Sequence, residues 1–247
     1  MKHNHIIEVL IKRGGELLQR PYTPNRFTGH KEADKLLNNI SDYPHAYVLA
    51  CVMDRQIKAE RAWMIPYHIK NAIGGFEIMQ LLRLEPPFLV SLFQKQSLHR
   101  FNETMALLFY DAIQMLQSSY GGVAFMIWAD KPRSATVVRR FLEFKGVGVK
   151  IATMAANILS RDFKIPMQDR ICIDISPDVQ VKRVFTRLGF IPSQATNDQL
   201  IYAAREFHPE YPGIFDLSAW EIGREWCRPK TPDCTRCYLN EICPKVV

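Results

Sequence analysis

The sequence has no run of apolar residues approaching the ~20 that cross a bilayer, so nothing in it reads as a transmembrane helix. Charged residues interrupt every apolar stretch of the N-terminal MKHNHIIEVLIKRGGELLQR, which excludes the roughly 7 to 15 residue apolar core of a secretory signal. Both absences lead us to expect a reducing, intracellular compartment, where clustered cysteines hold metal more often than they form disulfides. No internal repeat and no low-complexity linker is present, which excludes a repeat array and a flexible tether. The seven histidines form no metal-spaced set and read as surface or core residues.

What is present is ample apolar material. With 247 residues, 47% hydrophobic and 23% charged, the chain can bury a core without disulfides, as one large domain or two small ones. A formal charge of +7 favours a polyanionic partner, because each neutralised phosphate releases condensed counterions. The dominant pattern is helical. Between Thr104 and Leu116, Met105, Leu108, Phe109, Ala112, Ile113 and Leu116 recur at the steps that share one helical face. Similar stripes run through Tyr47 to Met53, Ala135 to Phe141, Ile151 to Leu159, Val179 to Leu188 and Leu200 to Phe207. One segment departs from this. In KIPMQDRICIDISPD, Ile171, Ile173 and Ile175 alternate with Cys172, Asp174 and Ser176, the period of a strand or short β-hairpin.

Four of the six cysteines, Cys227, Cys234, Cys237 and Cys243, crowd into CRPKTPDCTRCYLNEIC with the spacing C-x6-C-x2-C-x5-C. Four thiolates on one short loop suit either zinc or a cubane iron-sulfur cluster. Structural zinc sites more often pair two C-x2-C knuckles, and the single one here favours iron-sulfur.

Upstream, FLEFKGVGVKIATMAANIL places Gly146-Val147-Gly148 between two apolar-striped helices. Glycines flanking one apolar residue let the chain reverse with positive φ, while Val147 plugs the junction. The amides opening the second helix then offer a phosphate site at the favourable end of the helix dipole. A plain turn would read the same way in isolation.

Together, the hairpin followed by Lys150, the stretch DVQVKRV at 178 to 184, the segment DLSAWEIGREWC and the cysteine loop resemble the endonuclease III family of base-excision DNA glycosylases. The likeness spans about Tyr47 to Cys243. It implies an all-α, two-lobed helix-hairpin-helix DNA glycosylase fold with a 4Fe-4S cluster loop, to which the alternating segment adds a short β-hairpin insertion. One lobe would comprise six helices over residues 44–155, and the other residues 1–43 and 156–247 with the cluster loop at 227–243. The partner would be double-stranded DNA containing a damaged base, bound by a monomer with no membrane association. The location would be cytoplasmic, nucleoid-associated if prokaryotic.

The resemblance also assigns roles. Lys150 matches the amine that attacks the sugar and forms a Schiff base, and Asp178 matches the carboxylate that faces positive charge developing on the sugar. Asp174 competes with Asp178, because the interval from Lys150 is about ten residues longer than the family shows; the valine and arginine that follow favour Asp178. Asp178 could equally serve only as a helix cap. Lys145, Gly146, Val147 and Gly148 would clamp the DNA backbone, Arg228, Lys230 and Arg236 would meet phosphates, and Gln56 or Arg55 would fill the gap left by an extruded base. Asp54 beside them would repel phosphate unless turned away. Lys145, Ile151 and Gln180 depart from the proline, threonine and histidine usual in the family. The implied activity is a glycosylase with abasic-site lyase chemistry on damaged bases, oxidised pyrimidines foremost. The alternatives are a monofunctional mismatch glycosylase and a non-catalytic DNA-binding protein.

Overall fold

The computed structural model describes residues 2–246. Its helices are α1 (Lys2–Gln19), α2 (Lys31–Asn38), α3 (Pro44–Met53), α4 (Ala59–Trp63), α5 (Ile65–Ile73), α6 (Ile78–Leu81) and α7 (Pro86–Lys95). They continue as α8 (Asn102–Tyr120), α9 (Ser134–Leu142), α10 (Val149–Arg161), α11 (Val179–Arg187), α12 (Asn197–Phe207) and α13 (Ile214–Glu225). Among the described residues there is no strand. Two compact units result, one of residues 23–132 and 139–155, the other of residues 1–22, 133–138 and 156–247.

The first unit is built around α3. Every residue of PHAYVLACVM is buried, and a helix that is apolar on nearly all sides belongs in the centre of its neighbours. Helices α2, α4, α5 and α8 pack against it. Its two polar rings are satisfied internally: Tyr47 donates to the carbonyl of Ala155 at 2.8 Å, and His45 Nε2 donates to that of Phe76 at 2.6 Å. Burial pulls the His45 pKa down, so the ring donates as a neutral imidazole. Residues 23–43, expected with the N- and C-terminal segments, cluster here instead. Ala33, Leu36 and Leu37 of α2 are buried, and Phe27 stacks on Trp63 at 4.4 Å. That much apolar area holds a short helix to its neighbour more firmly than chain proximity holds it to α1.

The second unit pairs α1 with α13 and α11 with α13. The α1 helix crosses closest at Gly14, where a Cβ would stand 2.3 Å from the carbonyl oxygen of Ile214, and Arg13 forks onto Glu221 at 2.8 to 3.1 Å. Phe185, Phe190, Phe207 and Phe215 form a closed ring of edge-to-face contacts with centroids 4.9 to 6.2 Å apart. Each such pair adds about 0.5 to 1.5 kcal/mol beyond its buried area.

The expected β-hairpin at 163–175 does not form. Its alternation fails because Ile173, Asp174, Ile175 and Ser176 are all buried, while Ile171 is exposed. The backbone groups also find partners other than a neighbouring strand. Cys172 N donates to Ser134 Oγ at 3.1 Å, Ser176 N donates to Asp216 Oδ1 at 2.9 Å, and the carbonyl of Ile173 accepts from Gly213 N at 2.7 Å. Side chains and a loop thus supply what a ladder would, and the segment is irregular, with a turn closed by Ile173 N donating to the carbonyl of Arg170 at 3.0 Å.

Candidate active site

In the first unit, α9 ends in a tight turn closed by Val147 N donating to the carbonyl of Phe144 at 3.0 Å. Gly146 has φ +85°, and a Cβ there would lie 2.6 Å from Arg55 Nη1 and 2.9 Å from Leu108 Cδ1. Only glycine meets both demands. Val147 is buried and plugs the turn. Gly148 is different from the expectation: it is exposed, its φ is outside the left-handed region, and a Cβ would meet open space. Its part is to start α10, its carbonyl accepting from Ile151 N and Ala152 N at 3.0 Å. The amides of the first turn of α10 therefore open beside a glycine on the surface, the arrangement that receives an anion at a helix start.

Lys150 stands in that first turn. Its Nζ lies 3.8 Å from Asp54 Oδ2, the lysine side chain 40% exposed and the aspartate 7%. Asp54, which would repel phosphate unless turned away, is turned inward at the C-terminal end of α3. Two residues on, Gln56 is exposed with φ +51°, a left-handed conformation that costs a non-glycine residue about 1 to 2 kcal/mol. Arg55 is half-buried against Gly146, so of the two wedge candidates Gln56 holds the outward position. Lys145 is exposed and pairs with Asp111 at 2.9 Å, within reach of solvent.

In the second unit, Asp178 caps α11 and accepts from Val181 N at 2.7 Å. Asp174 is buried and held at two points by Arg205. The part-buried carboxylate of Asp216 accepts from Ser176 N just ahead of Asp178, and loss of solvation pushes its pKa up to about 6, against the pull of Arg161 and that backbone hydrogen bond. The turn carrying Asp178 is thus fastened from below.

Farther along α11 are two arginines to which the sequence assigned no role of their own, although Arg183 is the arginine that favoured Asp178. Arg183 donates to the carbonyls of Cys227 and Gly223 at 2.7 and 2.9 Å. Arg187 donates to the carbonyls of Arg228 and Pro229 at 2.7 and 2.9 Å, and its Nη1 lies 3.4 Å from Cys227 Sγ. Their spacing of four residues on one helix face was the available signal. Cys227, Cys234, Cys237 and Cys243 line one cavity of about 30 Å³ together with Val184 and Ile222. All six cysteines are free of disulfides. Burial and the neighbouring thiols raise the pKa of Cys237, with the same causes acting on Cys243. No group of three His, Cys, Asp or Glu side chains among the described residues is arranged to hold a metal ion. Arg228, Lys230 and Arg236 are exposed on this loop, with Arg236 3.6 Å from Asp233.

No family model and no curated relative matches the sequence. Solved structures do match its shape. Two complexes of endonuclease III with DNA, a trapped covalent intermediate with an estranged adenine and a non-covalent complex, give TM-scores of 0.60 and 0.61 at 18% and 19% identity. The matches cover 86% and 87% of this chain and 92% and 93% of theirs. A thermostable thymine-DNA glycosylase gives 0.63 at 14% identity, over 99% of this chain and 96% of that one. The chain has the helix-hairpin-helix DNA glycosylase fold that endonuclease III represents.

Proposed function

We propose that the chain is a base-excision-repair DNA glycosylase with abasic-site lyase activity, removing damaged bases, oxidised pyrimidines foremost, through a Schiff base on Lys150. The observation that carries this reading is the place of Lys150: a half-exposed amine in the first turn of the helix that follows the Gly146–Gly148 turn. The fold shared with DNA glycosylases supports it, as does the net charge of +7.

In this reading the neutral amine attacks C1′, and the glycosidic electron pair leaves with the base. Asp178 is the carboxylate that offsets positive charge on the sugar ring as that bond lengthens. Its cap geometry suits the task, since a carboxylate tied to a helix start keeps its position. The nitrogen then loses a proton and its electron pair expels O4′, which takes a proton as the ring opens; the resulting iminium makes the C2′ proton acidic, and its removal expels the 3′ phosphate. The amides at the start of α10 take a backbone phosphate, Lys145 exchanges Asp111 for another, and Arg228, Lys230 and Arg236 add further phosphate contacts. Gln56, with Arg55 behind it, fills the space of the extruded base.

We assign Cys227, Cys234, Cys237 and Cys243 as ligands of a 4Fe-4S cluster. The donor chemistry fits: four sulfurs line one cavity, and Arg187 Nη1 donates to Cys227 Sγ at 3.4 Å. When bound, the cluster supplies a structural cross-link for the loop that carries the basic residues.

The test is borohydride trapping and strand nicking over duplexes with oxidised, deaminated, alkylated and mismatched bases. A covalent adduct that disappears in K150Q is the expected result, and an adduct of equal yield in K150Q overturns the assignment. The shape match to a thymine-DNA glycosylase favours one second reading, a monofunctional mismatch enzyme. It releases the base and leaves an abasic duplex unnicked.

A further inference from the structure

Asp54 closes α3 at a place where an acidic side chain meets two costs. The last turn of a helix carries the negative end of its dipole, and the residue is only 6% exposed, out of reach of the water that would solvate a carboxylate. DNA binding does not account for it either, since a carboxylate and a phosphate repel. A cation offsets both costs, and the amine of Lys150 lies 3.8 Å away.

The two groups are held by rigid parts of one unit. Asp54 N donates to the carbonyl of Cys51 at 3.1 Å, fixing the carboxylate to a helix that is buried along its whole length. The start of α10 is held by the Val147 plug, and the middle of α10 by the hydroxyl of Tyr47, also on α3, donating to the carbonyl of Ala155. The exposures differ: the carboxylate lies beneath at 7%, and the amine above it stays 40% open. The amine thus has a carboxylate 3.8 Å away on its inner side and is open on its outer side.

We propose that Asp54 is the positioning residue for the Lys150 amine and the acceptor of the proton that this amine must lose; the inference rests on the reading of Lys150 as nucleophile. With an abasic aldehyde the step balances as follows. The ammonium N–H bond breaks, the proton forms an O–H bond on Asp54, and the electron pair stays on nitrogen. That pair forms the N–C1′ bond, while the carbonyl π pair moves to oxygen. A second proton passes from nitrogen to that oxygen, Asp54 returns the first, and the oxygen leaves as water. The iminium and an ionised Asp54 remain.

The experiment uses the full chain and a duplex with one abasic site. It measures single-turnover borohydride trapping and duplex Kd for the wild type, D54N, D54A and K150Q, with and without formate. Trapping in D54N and D54A should slow roughly 100-fold while Kd stays within about twofold. Formate should accelerate D54A, where it fits the space of the lost carboxylate, and should leave the wild type unchanged. A purely structural role predicts no such rescue. If D54A fails to fold, the nearly isosteric D54N carries the rate and affinity test. Trapping at the wild-type rate in D54N, a fall in rate matched by an equal loss of affinity, or a folded D54A deaf to formate overturns the proposal. K150Q reports separately: adduct lost there with wild-type trapping in D54N removes this inference and leaves the proposed function standing. An adduct persisting in K150Q removes both.

Discussion

Arg205 grips Asp174 at two points, Nε to Oδ1 at 2.7 Å and Nη2 to Oδ2 at 2.8 Å, with the carboxylate 7% exposed and the guanidinium 42%. The unequal exposure makes the pair asymmetric to mutation. R205A leaves a buried carboxylate without its cation and should cost about 3 kcal/mol, towards the lower end of what breaking a buried pair costs. D174N lets a half-exposed guanidinium turn to water and should cost less. Denaturant unfolding of both variants tests this, and a larger loss in D174N would contradict it.

Asp178 separates from Asp174 by a different substitution. Asparagine caps a helix about as well as aspartate, so D178N keeps the hydrogen bond to Val181 N and loses only the charge. Its unfolding free energy should stay within about 0.5 kcal/mol, while single-turnover base release falls roughly 100-fold to 1000-fold. D178A should lose about 1 kcal/mol in addition. Normal base release in a folded D178N would return Asp178 to a capping role alone.

Gly146 and Gly148 look equivalent in the sequence and are not. G146A places a Cβ against Arg55 Nη1 and Leu108 in a backbone conformation with φ +85°. It should cost at least about 1 to 2 kcal/mol and weaken duplex binding. G148A meets open space and should change stability by less than about 0.5 kcal/mol. Thermal unfolding and a salt-dependent binding titration of both variants distinguish a shaped turn from a generic one.

That pair of glycines shows where the sequence was readable and where it stopped. The stripes from Met105 to Leu116 and from Val179 to Leu188 fall on α8 and α11, because a helix that buries one face must repeat its apolar residues at helical spacing. Ile171, Ile173 and Ile175 carried a strand-like period without a strand. Periodicity records which residues are apolar and says nothing of where the backbone finds partners, here Ser134, Gly213 and Asp216, distant in sequence. Asp54 was legible only as an oddity: its burial beneath Lys150 joins residues 96 positions apart, and no local pattern encodes that. The sequence signal, an acidic residue straight after an apolar helix, was a cost in search of its cation.

The four loop cysteines should behave as a set distinct from the other two. C227S, C234S, C237S and C243S should each lose bound iron and visible absorbance, whereas C51S and C172S, which lie away from the shared cavity, should retain both. R187A should keep the iron and release it faster to a chelator, since Cys227 Sγ loses a cationic neighbour at 3.4 Å. Zinc in place of iron in the purified protein would overturn the cluster assignment while leaving the shared cavity explained.

Asp216 gives a pH signature with a definite sign. Burial raises its folded pKa from 3.8 to about 6, with Arg161 and the Ser176 amide opposing. Well below the unfolded pKa of 3.8 the group is protonated folded and unfolded, and it carries no penalty. As pH rises towards 6 the unfolded chain ionises first, so the folded state binds more protons and stability falls. Above pH 6 the penalty stays constant at about 3 kcal/mol, from about 2 pH units at about 1.4 kcal/mol each. D216N keeps an oxygen for the Ser176 amide and has no charge to bury, so it cancels this dependence. The stability of D216N minus that of the wild type should therefore climb by about 2 to 3 kcal/mol between about pH 4 and pH 7, read from denaturant midpoints at matched ionic strength. A difference that stays flat would mean that Asp216 has the same pKa folded and unfolded, and one that climbs instead as pH falls would mean that it is ionised in the fold at low pH and holds the Ser176–Asp178 turn as a charge.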